Sequence, residues 1–247
     1  MVTVECSGHQ FHNIEAVLFD KDGTLANSEE FLRSLAQKRS RLIDAQVPGV
    51  QEPLLLAFGV DGDRLNPAGL MAVGNRQENE TAAAAYIAET GKDWIESLEV
   101  ARSAFVEADS YLLSKADYTP PFAGISNCLE RLASAGLKLG ILSADTTANI
   151  QAFVARYQFS EVFQLTLGSD RPDCKKPDPR FFQVACHQLG VRPQHALSIG
   201  DATSDLQMAR QAKAAGFVGV RWGWSQPVRL TGADSLIDQP EQLQVSA

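Results

Sequence analysis

The later half of this 247-residue chain alternates short apolar runs with amphipathic stretches, and that rhythm admits few folds. LKLGILS (137–143), VFQLTL (162–167), HALSIG (195–200), FVGVRW (217–222) and SLID (235–238) read as strands. GISNCLERLASAG, TTANIQAFVARYQ, PRFFQVACHQLG and SDLQMARQAKAAG, which precede or separate them, carry helical spacing. Alternation of this kind predicts a parallel sheet with helices on both faces, since each crossover must return the chain to the same end of the sheet. One more strand, AVLF (16–19), is continuous and apolar, as a strand buried on both faces would be. It is cut off from the others by a block at roughly 28–115 with helical texture. SEEFLRSLAQKRSRLIDAQV, NRQENETAAAAYIAETG and DWIESLEVARSAFVEADSYLL read as its helices, and 59–74 reads as glycine-rich loop. No strand is expected within it. The economical fold is α/β, a Rossmann-like parallel core over 1–26 and 119–247 interrupted by an α-helical insert over 27–118.

Composition narrows the partners. A net charge of -8 disfavours nucleic acid and anionic membrane. The longest apolar stretches fall far short of a membrane span. Cys6, Cys128, Cys174 and Cys186 show neither CxxC pairing nor metal-ligand spacing with the four histidines, so free thiols in a reducing cytoplasm are expected. The first residues are neither basic nor continuously apolar, unlike a signal peptide. No oligomeric state is assigned.

In open parallel sheets ligands bind beyond the carboxyl ends of the strands. Asp20 ends the strand at 16–20, Ser143 ends that at 137–143, and Asp201 follows that at 195–200, so three polar residues from distant segments are expected on one edge. Asp20, ionised at neutral pH, can act as an oxygen nucleophile. Toward a phosphate it faces repulsion of about 4 kcal/mol per pair of unit charges at ~4 Å and an effective dielectric of ~20. A divalent cation between them is therefore required, and Mg²⁺ suits an all-oxygen site that keeps several waters. Asp201 and, one helical turn later, Asp205 in GDATSD supply further carboxylates. Asp22 can give a proton to the leaving oxygen and later take one from water. Gly23 permits a sharp turn, and Thr24 offers a hydroxyl near the phosphate. Ser143 and the amides of LSADTT can bind phosphoryl oxygens, and Lys176 adds a positive charge at the transition state.

The ordered set DKDGT, LS, KPDP and GDATSD resembles the haloacid dehalogenase superfamily of phosphohydrolases. The resemblance covers the core segments throughout, and the helical insert matches that family's mobile cap. It implies Asp20 as nucleophile, Asp22 as acid/base, Ser143 as phosphate ligand and Lys176 as charge stabiliser. It further implies Mg²⁺ held by Asp20, the Asp22 carbonyl and Asp201, with Asp205 on or near the metal. DGTLANS, the cap position and GVRWG (219–223) most resemble the phosphoglycolate-phosphatase-like branch. Ala144, at a substrate-contact position, stands where an asparagine is common, and Lys21 where an apolar residue often lies.

Other readings compete residue by residue. Ser143 could be a helix N-cap, Asp205 could merely favour a helix dipole, and either Lys175 or Lys176 could point inward. Asp170 and Asp178 could neighbour the site or be solvated. DKDGT is no calcium loop, because Leu25 and Phe31 stand where that loop needs glycine and glutamate. Histidines have no assigned role, Trp222 and Trp224 are expected to pack, and Arg64, Asn66 and Arg76 in the insert are possible substrate contacts or surface residues. The expectation is an Mg²⁺-dependent phosphatase for a small phosphorylated metabolite, with a sugar phosphomutase or a non-catalytic binding protein as alternatives.

Overall fold

The structure is a computed structural model and describes residues 2–111, 114–170 and 174–246. The chain opens with an antiparallel hairpin, β1 (Val2–Cys6) and β2 (His9–Ile14), followed by β3 (Ala16–Phe19). Helices α1 (Glu29–Asp44) and α2 (Gln51–Phe58) lead to a small ribbon, β4 (Val60–Asp61) and β5 (Arg64–Leu65). Then come α3 (Leu70–Val73), α4 (Arg76–Glu89), α5 (Trp94–Tyr111) and α6 (Lys115–Tyr118). The alternating half follows as α7 (Ile125–Ser134), β6 (Lys138–Leu142), α8 (Thr147–Arg156), β7 (Leu165–Leu167), α9 (Pro179–Leu189) and β8 (Ala196–Gly200). It closes with α10 (Thr203–Ala212), β9 (Gly216–Val220), β10 (Ser235–Ile237) and β11 (Leu243–Ser246).

Six strands form one parallel sheet in the order β10-β9-β8-β3-β6-β7. The early strand β3 thus inserts at the centre, between two strands from the far half of the chain. All four of its residues are buried. Val17 and Phe19 join a cluster with Ile125, Leu129 and Phe153, whereas Ala16 and Leu18 face Phe181, Phe182 and Met208. Opposite faces of one strand therefore meet helices on opposite sides of the sheet, which explains why AVLF shows no polar alternation.

The helical block builds a core of its own, running from Phe31 through Phe58 and Phe105 to Ala108, with Trp224 its one buried member from the later half. Asn75 begins α4 with a reciprocal capping box to Glu78, a local start signal written in the sequence. The chain enters and leaves this block side by side: Asn27 N–H donates to Pro120 O at 2.8 Å, and Phe122 N–H donates to Leu25 O at 3.0 Å.

The structure departs from the sequence reading at several points. The block contains the two-stranded ribbon β4–β5 and the short helix α3 where only loops were expected, the ribbon's turn set by Gly62 at φ +59°. Beyond SLID a further strand, β11, pairs with β1, and with β2 they form a three-stranded antiparallel sheet. A bulge between Val2 and Val4 breaks the period-two pattern there, so the alternation that would have announced β1 is interrupted. The expected helix 93–113 begins at Trp94, and its last two residues, Leu112 and Leu113, lie outside the described residues. Among the described residues no helix is long and apolar enough to cross a membrane.

Because Leu18 sits at 1 % exposure in the central strand, Leu18→Ala is expected to cost about 2–5 kcal/mol through lost contacts and a residual cavity. Urea unfolding should show a lower midpoint with an unchanged slope.

Candidate active site

Parallel register decides which residues meet. Phe19 lies level with Ile141 of β6 and Ile199 of β8, so Asp20, Ser143 and Asp201 all emerge at the carboxyl edge around the sheet's centre. Asp20 is tied down there by its N–H, which donates to Ile199 O at 2.8 Å. Asp205 stands in the first turn of α10, where its carboxylate accepts the Ala202 N–H at 3.2 Å. Oxygens of Asp20, Asp201 and Asp205 all lie within 4.8 Å of one another. Lys176 reaches this trio from the segment before α9, with Nζ 2.5 Å from Asp20 Oδ1 and 2.6 Å from Asp205 Oδ1. The ambiguity between the lysines is thereby resolved in space: Lys175 turns to Glu78 of α4 at 2.6 Å.

The turn after β3 is held by Leu25 and Ala26 N–H groups, both donating to Lys21 O at 2.9 Å. Gly23 sits at φ +80°, and a Cβ there would fall 2.5 Å from the Trp224 ring. Gly223 is equally constrained, for a Cβ on it would meet the Gly23 carbonyl oxygen. Two glycines in contact thus let the GVRWGW segment lie directly on DKDGT. Through that approach Trp224 Nε1–H donates to Asp201 Oδ2 at 2.6 Å, while Trp222 Nε1–H donates to Thr24 O at 3.0 Å. Trp224 is therefore a polar partner of the acidic trio as well as a packing residue. The Thr24 hydroxyl donates to Asp201 Oδ1 at 2.8 Å, so it orients that carboxylate.

A second charged cluster adjoins the first. Asp22 accepts Lys21 Nζ at 2.7 Å, Ser28 Oγ at 2.5 Å and Lys115 Nζ at 2.8 Å. Asp145 completes a square, lying 2.7 Å from Lys115 and 3.1 Å from Lys21. A lysine only 1 % exposed, as Lys21 is, demands such pairing. Ser143 is buried, and its Oγ accepts the Asp145 N–H at 3.1 Å. Ala144 shares a wall with Asp145 in a cavity of 380 Å³ that opens beside Asp22. Asp170 accepts the Thr147 N–H and hydroxyl beside that region, whereas Asp178 caps α9 and pairs with Arg180. Arg76 lines the cavity, Asn66 lies on a separate cleft, and Arg64 is exposed beside Asp63.

The two clusters differ in charge balance. In the trio three carboxylates share one lysine: burial first, then the charges of Asp20 and Asp205, push Asp201 well above the ordinary carboxylate range. Burial likewise raises Asp205 to about 6 against the pull of Lys176. Lys176 moves up as well, burial opposing but Asp20 and Asp205 prevailing. In the square, burial alone would raise Asp22 and Asp145, yet Lys115 and Lys21 hold both below their usual range.

Residues 14–213 match the family model of haloacid dehalogenase-like hydrolases, which spans well over half of the chain. The chain belongs to that family. Among similar proteins, the phosphoglycolate phosphatase of Escherichia coli K12 is 27 % identical over 218 residues, 88 % of this chain and 85 % of the relative. The N-acetylmuramic acid 6-phosphate phosphatase of Pseudomonas aeruginosa PAO1 is 28 % identical over 244 residues, 93 % of each chain. A predicted phosphoglycolate phosphatase from Haemophilus somnus shares the fold with a TM-score of 0.70 at 20 % identity, covering 92 % of this chain and 95 % of that one.

Several members of the hydrolase's site escaped the sequence reading. Lys115 lies in no motif and reaches Asp22 only because the chain's entry to and exit from the helical block run together, whereas Ser28, the last residue of DGTLANS, turns back onto Asp22 within its own segment. Asp145 could have been noticed two residues after Ser143 in LSADTT. Lys21 stands out in the sequence as a departure, but of the carboxylates it neutralises only Asp22 is its neighbour, and Asp145 comes from a distant segment.

The raised acids set the pH response of the metal-free hydrolase. A carboxyl whose folded pKa lies above its unfolded value stabilises the fold below the unfolded value and loses that contribution as pH rises through the folded one. For Asp205 the window runs from 3.8 to about 6, and the loss is on the order of 3 kcal/mol. Asp22 and Asp145, held low, contribute constantly throughout that window. Thermal unfolding without divalent cation is expected to show Tm falling from pH 4 to pH 7, and Asp205→Asn should flatten the slope.

Proposed function

We propose that this hydrolase is a phosphatase that cleaves a small phosphorylated metabolite through an aspartyl-phosphate on Asp20, with Mg²⁺ as cofactor. The observation that carries the reading is the gathering of Asp20, Asp201 and Asp205 around a single lysine. Such a trio is short of positive charge, as the raised Asp201 and Asp205 attest, and its donors are all hard oxygens. The residues fit a divalent cation held by Asp20, Asp201 and Asp205 together with the Asp22 backbone carbonyl. When bound, Mg²⁺ would offset the repulsion between the Asp20 carboxylate and the phosphate.

The chain's own groups account for the remaining steps. An Asp20 oxygen forms a bond to phosphorus while the ester P–O bond breaks, and the departing oxygen takes a proton from Asp22. A water then attacks the phosphoryl group, gives its proton to the Asp22 carboxylate, and releases Asp20 with inorganic phosphate. Lys21 and Lys115 hold Asp22 anionic, which suits it to receive the proton of that water. To donate in the first step it must loosen its hold on Lys115, which lies in α6 at the exit from the helical block. We therefore assign 1–26 and 119–247 to the core and 27–118 to a cap whose movement couples to Asp22. Lys176 steadies the charge on the reacting groups, and Ser143 with the turn after it, including Ala144, lies where the phosphoryl group and substrate would sit. The named activities of the E. coli and P. aeruginosa relatives support a phosphomonoester substrate. Four unpaired cysteines, all buried, accord with a cytoplasmic setting.

With magnesium and p-nitrophenyl phosphate, the protein is expected to release phosphate. Chelator should stop it, and Asp20→Asn should lower kcat by at least about a thousandfold, since it removes the nucleophile itself. Asp22→Asn should leave Asp20 able to accept phosphate but slow its release, visible as accumulated phosphoprotein by mass spectrometry. Conversion of a sugar monophosphate into its isomer without free phosphate would instead make it a phosphomutase.

A further inference from the structure

Both oxygens of Asp201 receive a donor from another part of the chain. The Thr24 hydroxyl gives to Oδ1 at 2.8 Å, and the Trp224 indole N–H gives to Oδ2 at 2.6 Å. An ionised carboxylate has about four lone-pair sites, so these two bonds fix its plane and leave acceptor capacity for a cation.

Packing alone does not call for an indole at 224. The ring joins the core of the helical block, where a phenyl group would also bury apolar surface. A buried indole N–H needs an acceptor, and a backbone carbonyl is the common choice, as Trp222 shows with Thr24 O. Trp224 instead turns to a carboxylate of the trio. Two glycines make the approach possible, since a Cβ on Gly23 would fall 2.5 Å from Trp224 Nε1, and one on Gly223 would strike the Gly23 carbonyl.

The next residue is held from the other side. Ser225 N–H donates to Glu29 Oε2 at 2.6 Å, and its hydroxyl donates to Oε1 at 2.5 Å. Two bonds to one carboxylate fix direction as well as distance. Glu29 opens α1, and its Oε1 also accepts the Leu65 N–H of β5 at 3.5 Å. A short path therefore runs from the helical block, through Ser225 and Trp224, to a carboxylate of the trio.

We propose that Trp224 is a positioning residue for the cation: it sets the Asp201 carboxylate, and Glu29 of the helical block, through Ser225, sets Trp224. Divalent-cation affinity then depends on how the helices are seated on the core. Such coupling is reciprocal, so an occupied trio holds the helices more firmly in that seat. The inference rests on the reading of the trio as a magnesium site.

The test is calorimetric titration with magnesium chloride alone, no phosphoester being present. Trp224→Phe keeps an aromatic ring in the helical core and removes the N–H. Its Kd for magnesium is expected to rise about tenfold, as follows when the hydrogen-bonded support of a metal ligand is lost. At saturating magnesium its kcat for p-nitrophenyl phosphate should stay within about threefold, which a general loosening of the site would not allow. Glu29→Ala should raise the Kd about threefold by itself but less than about twofold beside Trp224→Phe, because its effect runs through the indole. A bare charge effect of Glu29 would be equal in both backgrounds, and that result overturns the coupling. A Kd unchanged in folded Trp224→Phe overturns the whole inference. Should that variant unfold by circular dichroism, Ser225→Ala decides, for it removes one bond to Glu29 without changing charge. An unshifted Kd there overturns the inference, and a raised one upholds it. In each of these cases the unaltered protein binds magnesium and the reading of the trio stands. Failure of the unaltered protein to bind magnesium overturns that reading and this inference together.

Discussion

The molecule is organised around a concentration of like charge largely withdrawn from water. Asp20, Asp201 and Asp205 bring carboxylates within 4.8 Å of one another at the edge of the sheet, with Lys176 as their one ammonium partner. An arrangement of that kind is costly in a folded protein, and burial shifts Asp201 and Asp205 toward their neutral forms. It persists because the sheet fixes the backbone from which two of the three project, and because Trp224 and Thr24 donate to both oxygens of Asp201. The cost of holding the trio as a purely anionic group is what a bound cation would relieve.

The neighbouring square solves the same problem differently. Asp22 and Asp145 are each matched by Lys21 and Lys115, so no net charge is buried. One lysine comes from the loop between the two aspartates of DKD, and the other from the chain as it leaves the helical block. Breaking either partner would strand a buried charge, a far larger penalty than the pair's own contribution to stability. The square therefore joins Lys115, at the exit of the helical block, to Asp22 and Asp145 at the carboxyl edge of the sheet.

Packing gives these charges their rigidity. The central strand is covered on both faces by separate clusters, whereas the helices keep a third core of their own, joined to the later half through Trp224. That one aromatic residue touches both systems: its ring belongs to the helical core, and its N–H belongs to the acidic trio. The cavity sits between the helices and the sheet's carboxyl edge, with walls from both.

The sequence by itself determined the parallel core, the helical interruption and the four motifs, because strand–helix alternation and a buried apolar run ending in acids are local patterns. Asp20, Asp22, Ser143 and Asp201 could be named from strand ends and motifs alone, since parallel strands must deliver their carboxyl ends to one edge, whereas only the structure turns Lys176 rather than Lys175 inward. The hairpin β1–β2 was not legible because a bulge interrupts its alternation, and strand β11 was not because its pairing with β1 joins opposite ends of the chain. Nor were Lys115 and Trp224: each is ordinary in its own segment and gains meaning only from a partner 93 or 23 positions away, while the Ser28 hydroxyl is aimed at Asp22 by the turn between them. Thr24 could be placed near the site but not aimed, and its hydroxyl turns to Asp201. Tertiary structure alone decided which charges are balanced and which are not, because electrostatic compensation depends on distance and burial, and neither is carried by the order of residues.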